Sequence, residues 1–187
     1  MDTGTEHKEG TGLIVYSSRT GNTRRLAEGI HRGLTDALGW EPRLAAVEEN
    51  PDPAGAEWIL AGFWVDRGTA DQKILEFLKT LGGRRVGLFG TLGASPESKH
   101  AGDVRQRVQT LASEKNTLLG CFLCQGKIDP ELTGHFKNLP PDNPHGMTPE
   151  RMQRHLEAAK HPDETDISAG VRACLSMVKS LLPEGAA

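Results

Sequence analysis

The sequence predicts an α/β fold, a doubly wound, mainly parallel sheet of five strands, and three observations carry that expectation. Short apolar runs alternate with helical patterns along the chain. The first of those runs lacks the every-second-residue polarity of a half-exposed strand, as expected where both sheet faces are covered. A length of 187 residues with 36% hydrophobic and 25% charged residues fits one compact domain of that kind.

The elements follow in order. Leu13-Ile14-Val15-Tyr16 is the first strand, and after a polar turn Leu26, Ile30, Leu34 and Leu38 recur at helical spacing until Gly39 stops the helix. The segment 43–47 is a weaker second strand, and a loop over 48–54 with two prolines leads to the third, Trp58-Ile59-Leu60-Ala61-Gly62-Phe63. Thr69 and Gln72 have capping-box spacing and open a helix with Ile74, Phe77, Leu78 and Leu81 on one face, stopped by Gly82-Gly83. Val86-Gly87-Leu88-Phe89 is the fourth strand. Val104, Val108 and Leu111 mark the next helix, and 118–123 is the fifth strand. The last helix carries Ile167, Val171, Cys174, Met177, Val178 and Leu181. There is no internal repeat and no low-complexity linker. Residues 1–11 read as a frayed polar tail without an apolar signal-peptide region, and 12–187 as a single domain.

Charge and composition exclude several classes of function. The net charge of −3 offers no electrostatic footprint for nucleic acid. No apolar run approaches the roughly 20 residues that span a bilayer. Three cysteines, Cys121, Cys124 and Cys174, do not make a disulfide scaffold and point to a cytoplasmic protein. The seven histidines show no metal-ligand spacing, and no nucleophile–base pair can be placed.

The loop after the first strand is the most informative segment. Ser17, Ser18, Arg19, Thr20, Gly21, Asn22 and Thr23 run straight into the first helix. Hydroxyls, a permissive glycine and the open N–H groups of a helix start are the chemistry of a phosphate cradle. It is neither a Walker loop nor a dinucleotide Gly-x-Gly-x-x-Gly turn. The same residue types are also what any helix start prefers, so the loop read alone leaves a plain cap cluster open.

The run Tyr16 to Thr23 resembles the flavodoxin phosphate-loop signature, Ser/Thr-x-Thr-Gly-x-Thr, at Ser18, Thr20, Gly21 and Thr23. The resemblance implies the strand order 2-1-3-4-5, with FMN at the switch in that order and its 5′-phosphate in the loop. It extends from about Gly12 to Leu182. The stretches 62–71, 91–94, 124–129 and 145–151 look like a bacterial branch of the family that includes the flavodoxin encoded beside bilirubin reductase in gut anaerobes.

In such a protein the loop after the third strand covers the isoalloxazine ring. Trp64, just past the strand end, is placed to stack on it, with Phe63 buried behind and Val65, Asp66, Arg67, Gly68 and Thr69 completing the cover. A packing role for Trp64 is the ordinary alternative. The family's glycine peptide that turns its carbonyl to flavin N5 on reduction corresponds by position to Gly68. The Asp66/Arg67 pair departs from the acidic surroundings usual in the family, and an arginine there favours anionic reduced flavin, raising the second potential. After the fourth strand, Thr91, Leu92, Gly93 and Ala94 would let backbone N–H groups reach the pyrimidine edge, although a Gly-rich turn needs no ligand. The tyrosine common at this loop in flavodoxins is absent, which leaves one ring face to backbone or to a substrate.

Two segments carry weaker signals. Cys121 and Cys124 have redox-motif spacing, but on a strand they point to opposite faces and read as inert. Residues 127–162 are an excursion that a minimal flavodoxin lacks, with a proline-rich loop over 139–146 and a helix capped by Thr148 with Pro149 at its first position. Met152 and Leu156 are its apolar residues. The segment reads as surface decoration or as a lid or docking element.

The expected function is a cytoplasmic FMN electron carrier between a reductase and an acceptor enzyme. The alternatives are an FMN-dependent oxidoreductase acting on a quinone or tetrapyrrole, and a flavin-free interaction module.

Overall fold

The structure, a computed structural model, describes residues 11–139, 143 and 146–181. The expected tail, apart from Thr11, and most of the proline-rich loop 139–146 lie outside the described residues.

Five parallel strands, β1 (Gly12–Tyr16), β2 (Arg43–Ala46), β3 (Trp58–Asp66), β5 (Arg85–Leu92) and β6 (Thr117–Gln125), lie in the order β2-β1-β3-β5-β6. A two-residue strand β4 (Thr69–Ala70) pairs antiparallel with the end of β3. Without that hairpin strand the order is the expected 2-1-3-4-5. Alternation along each strand splits the core in two. Leu13, Val15, Ile59, Ala61, Phe63, Val86 and Leu88 pack under α2 (Gln72–Thr80) and α3 (Lys99–Ser113). Ile14, Leu60, Phe89 and Cys124 pack on the other face under α1 (Asn22–Leu38) and α6 (Glu164–Lys179). With both faces covered, the strands read as unbroken apolar runs.

Several boundaries differ from the sequence reading. The second strand ends at Ala46, and Val47 opens a short 3-10 turn. The third and fourth expected strands both run three residues further at their carboxyl ends than anticipated, and the fourth also begins one residue earlier. They pair to each other through Phe63 with Gly90 and Trp64 with Thr91, so these positions are sheet and not loop. The N-cap of α2 is Asp71, whose carboxylate accepts from the amides of Lys73 and Ile74, while Thr69 is spent in the hairpin ladder. In α3, Leu111 is 39% exposed and Ala112 turns inward instead.

Among its described residues the excursion holds two helices, α4 (Pro130–Lys137), which the sequence reading missed, and α5 (Pro149–Ala158). The Thr148 cap and Pro149 at the helix start are as expected. Leu156, taken as half of the buried stripe, is 56% exposed, and Ala158 is the residue that α5 buries. Cys121 joins one core face and Cys124 the other, so the two thiols do not pair. Burial pushes the Cys121 and Cys174 thiols up to about 12, and Cys124 is also raised, which removes thiolate reactivity near neutrality. Among the described residues, no helix is long and apolar enough to cross a membrane.

Candidate functional site

The carboxyl ends of β1, β3 and β5 converge on the loop 18–23. The Ser17 amide donates to the Gly62 carbonyl at 2.9 Å, which fixes where the loop leaves the sheet. Gly21 sits at the N-cap of α1 with φ 91, a conformation that glycine adopts without Cβ strain, and no side chain caps the helix. The first turn of α1 contains no acidic residue. Its N–H groups and positive dipole end therefore face the loop with no carboxylate from the helix's own first turn to neutralise them.

Ser18 adds a second sign of a ligand. Its Oγ is buried and has no hydrogen-bond partner, a state that is costly unless something else completes it. A phosphate group at this helix start would accept from it. The residues present thus fit the phosphate of FMN, by donor set and by an orphaned hydroxyl.

The other loop residues have defined partners. Asn22 donates to Thr20 Oγ1 at 3.1 Å and to the Lys127 carbonyl at 2.7 Å. Arg19 pairs with Asp129 at 2.9 Å and lies 5.6 Å from the Trp64 ring centre. Thr23 Oγ1 and Thr91 Oγ1 are buried and bonded at 2.9 Å. Thr23 and Thr91 thereby tie α1 to β5, and their hydroxyls are already engaged with each other. Lys127 and Asp129 belong to the excursion, so that segment braces the loop 18–23. Neither was chosen as a site residue from sequence, although the stretch 124–129 had been singled out for its family resemblance.

The cover expected after β3 is a hairpin. Arg67 (φ 47) and Gly68 (φ 80) form its two-residue tip, both left-handed as a type I′ turn requires. Trp64 lies within β3, half-buried, and not beyond its end. The Gly68 carbonyl accepts from Arg107 of α3, so the peptide expected to turn toward the flavin is already held. Nothing in the sequence pairs positions 39 residues apart, and Arg107 was not expected at the site.

A cleft of about 500 Å³ lies between the hairpin and the end of β5. Val65, Arg67, Gly68, Leu92 and Gly93 line it, with His100, Asp103 and Arg107 from α3. The structure thus gathers five of the expected ring contacts around one space. Trp64, Asp66, Thr69, Thr91 and Ala94 do not line it, and the loop 18–23 lies apart from it. The Leu92 side chain is buried in the core, and its carbonyl accepts from the Gly126 amide at 2.8 Å.

Below the hairpin, Asp71 is buried beside Ser17 and Trp64, and its Oδ2 has no hydrogen-bond partner. Burial raises the carboxyl above its ordinary range, against the nearby Ser17 hydroxyl and the amides of Ile74, Trp64 and Lys73. A carboxyl whose folded-state pKa is raised adds stability as pH falls through that raised value, and its ionised form is a cost at neutrality. Asp71→Asn keeps an oxygen for the α2 cap and removes the buried charge. The variant should melt no lower than wild type near pH 7, and wild type should gain on it as pH falls toward about 4. Parallel thermal melts across that range check this, and a difference independent of pH would refute it.

His161, Asp163 and Asp166 are the one group among the described residues whose ligand atoms lie close enough to share an ion. They are engaged in capping α6, where Asp163 accepts from the Thr165 and Asp166 amides and Asp166 from the Asp163 amide and His161.

Comparison with known proteins bears on the family and the fold. A family model for the flavodoxin domain matches residues 13–174. The chain is 31% identical over 172 residues to the flavodoxin-like domain-containing protein BilS of Clostridioides difficile (strain CD3), covering 90% of this chain and 97% of that one. It is 34% identical over 183 residues to the protein of the same name from Clostridium symbiosum (strain WAL-14163), covering 88% and 94%. Oxidised flavodoxin 1 from Bacillus cereus shares the fold with a TM-score of 0.58 at 13% identity, over 92% of this chain and 99% of that one. A short-chain flavodoxin associated with a non-canonical PDU bacterial microcompartment gives a TM-score of 0.55 at 16% identity, with the same coverage.

Proposed function

The chain belongs to the flavodoxin family, an FMN-binding family, with the two BilS proteins among its relatives, and from that premise we propose that it is a cytoplasmic electron carrier between a reductase and an acceptor enzyme. The observation that carries the reading is the buried, partnerless Ser18 hydroxyl beside the uncapped start of α1. When bound, FMN supplies the one- and two-electron chemistry.

The chain's residues do the rest. Ser18 and the first amides of α1 bind the phosphate, Gly21 gives the loop its turn, and Asn22 holds the loop to the Lys127 carbonyl. Arg19, Thr20 and Thr23 complete the cradle through the side-chain ties already described. The hairpin from Trp64 to Thr69 shields the ring from water, with Arg67 and Arg107 against the one carboxylate of Asp103 leaving the cleft a positive balance that favours anionic reduced flavin. Gly93 and Ala94 present backbone to the pyrimidine edge, with Thr91 and Leu92 as the rigid strand behind them. The domain extends over 12–187.

A second reading, an FMN-dependent oxidoreductase, draws support from the open cavity beside Gly93 and Ala94, which is large enough for a small organic substrate. A visible spectrum of the purified protein, before and after addition of FMN and desalting, tests the shared premise. Retained flavin absorbance is the expected result, and a protein that stays colourless with added FMN overturns both readings. The carrier then predicts that NAD(P)H bleaches the flavin only when a separate reductase is added. Bleaching by the protein alone favours the oxidoreductase.

A further inference from the structure

The excursion helices build a second cavity that the phosphate loop and the hairpin do not line. Its volume is about 350 Å³, within the range of small-molecule sites. One wall is apolar and aromatic, from Ile128 and Phe136, and continues onto Ala94. The other is polar, from Arg151, Arg154 and His155 of α5, and the two arginines give it positive charge. Residues 151 and 154 lie three apart on a helix, so both guanidinium groups belong to one face. No carboxylate among the described residues lines the cavity.

The walls are held in place. Arg151 donates to the Gly146 carbonyl at 2.5 Å, and His155 Nδ1 lies 2.8 Å from Thr133 Oγ1 of α4. The Phe136 ring meets the His155 ring edge-on at 6.4 Å between centres. Ile128 packs so closely on the end of β5 that a Cβ at Gly93 would come within 2.7 Å of it. The Asn22 bond to the Lys127 carbonyl ties the start of the excursion to the body, and the Lys127 amide bond to the His161 carbonyl holds its two ends together.

We propose that this cavity is a binding site for a flat organic acid. Planar guanidinium forks recognise carboxylates through paired hydrogen bonds. Inorganic phosphate would use the cationic wall but gain nothing from Ile128, Phe136 and Ala94, whereas an aromatic carboxylate uses both walls. The cavity and the ring cleft share Gly93, so a bound acid would lie next to the flavin edge. That last placement, unlike the cavity itself, rests on the proposed FMN reading.

The test is a titration of the isotopically labelled full chain with 2-naphthoate and with its neutral analogue 2-naphthamide, followed by amide chemical shifts, with and without added FMN. Naphthoate should shift the signals of Gly93, Ile128, Phe136 and His155 saturably, and at least about tenfold more tightly than the amide. Arg154→Gln, at an exposed position, should erase most of that preference, and Phe136→Ala should weaken both probes alike. The proposal is overturned if naphthoate leaves those signals unmoved, if the amide binds as well, or if the shifts gather on the loop 18–23. FMN retention is read on the same samples by absorbance. Its failure would overturn the electron-carrier reading, while the flavin-free titration would still decide the cavity.

Discussion

Ser18→Ala should leave the flavin-free protein at least as stable as wild type while weakening FMN binding by about tenfold to a hundredfold. The two halves have one cause. In the flavin-free chain the Ser18 hydroxyl is buried with nothing to bond to, and removing it also removes a desolvated polar group. With FMN bound, the same hydroxyl donates to a charged acceptor, an interaction of about 1.5–3 kcal/mol, which corresponds to the stated loss in affinity. Thermal melts of the flavin-free variant and quenching of FMN fluorescence on titration supply the two readings. A variant that melts lower and binds FMN unchanged would make Ser18 a structural residue and remove the main support for the phosphate site. Thr23→Val provides the contrast. Thr23 already bonds to Thr91 inside the protein, so its loss should cost stability by leaving Thr91 unpartnered.

The layout of the sheet was legible because its physics is local in sequence. Runs such as Leu13 to Tyr16 have apolar residues on both faces, and helices such as α1 announce themselves by spacing and by Gly39 at the stop. The ends of β3 and β5 were not legible. Trp64-Val65-Asp66 and Gly90-Thr91-Leu92 look like loop, and only pairing with distant partners makes them sheet, Trp64 with Thr91, Val65 and Asp66 with β4, and Gly90 to Leu92 with β6. The hairpin tip was hidden for a related reason, since Arg67 takes a left-handed conformation that residues other than glycine adopt uncommonly. Its neighbour Thr69 is drawn into the ladder, which leaves the cap to Asp71. For α4, the signal was present and overlooked. Asp129 with Pro130 repeats the cap-and-proline pattern that revealed Thr148 and Pro149. At the site, the loop 18–23 stood out as a candidate because its donors are contiguous. The Arg107 hold on Gly68 and the Arg19 pair with Asp129 join distant segments, so no spacing rule could have found them.

Gly62→Ala should lower the melting temperature by about 3–10 °C, and Phe89→Leu should cancel most of that loss when the two are combined. Gly62 of β3 pairs with Phe89 of β5, and the Phe89 ring lies over the glycine so closely that an added Cβ would stand 2.3 Å from Cζ and 2.4 Å from Cε2. Phe89 is fully buried, so the ring has no solvent to move into. Overpacking of this kind costs about 1–3 kcal/mol, which gives the stated fall for a chain of this size. The three nearest ring atoms, Cζ, Cε2 and Cε1, are atoms that leucine lacks, so the double variant has room for the methyl group. A coupling of at least about 0.5 kcal/mol between the two changes follows, whereas additive losses would show that the ring is not the obstacle. The same pair reports on the site. The Gly62 carbonyl receives the Ser17 amide where the phosphate loop leaves the sheet, so a displaced β3 shifts that loop. Gly62→Ala should therefore weaken FMN binding as well as stability, and Phe89→Leu should restore both. If stability recovers while FMN affinity does not, the Ser17–Gly62 bond is not what sets the loop's position.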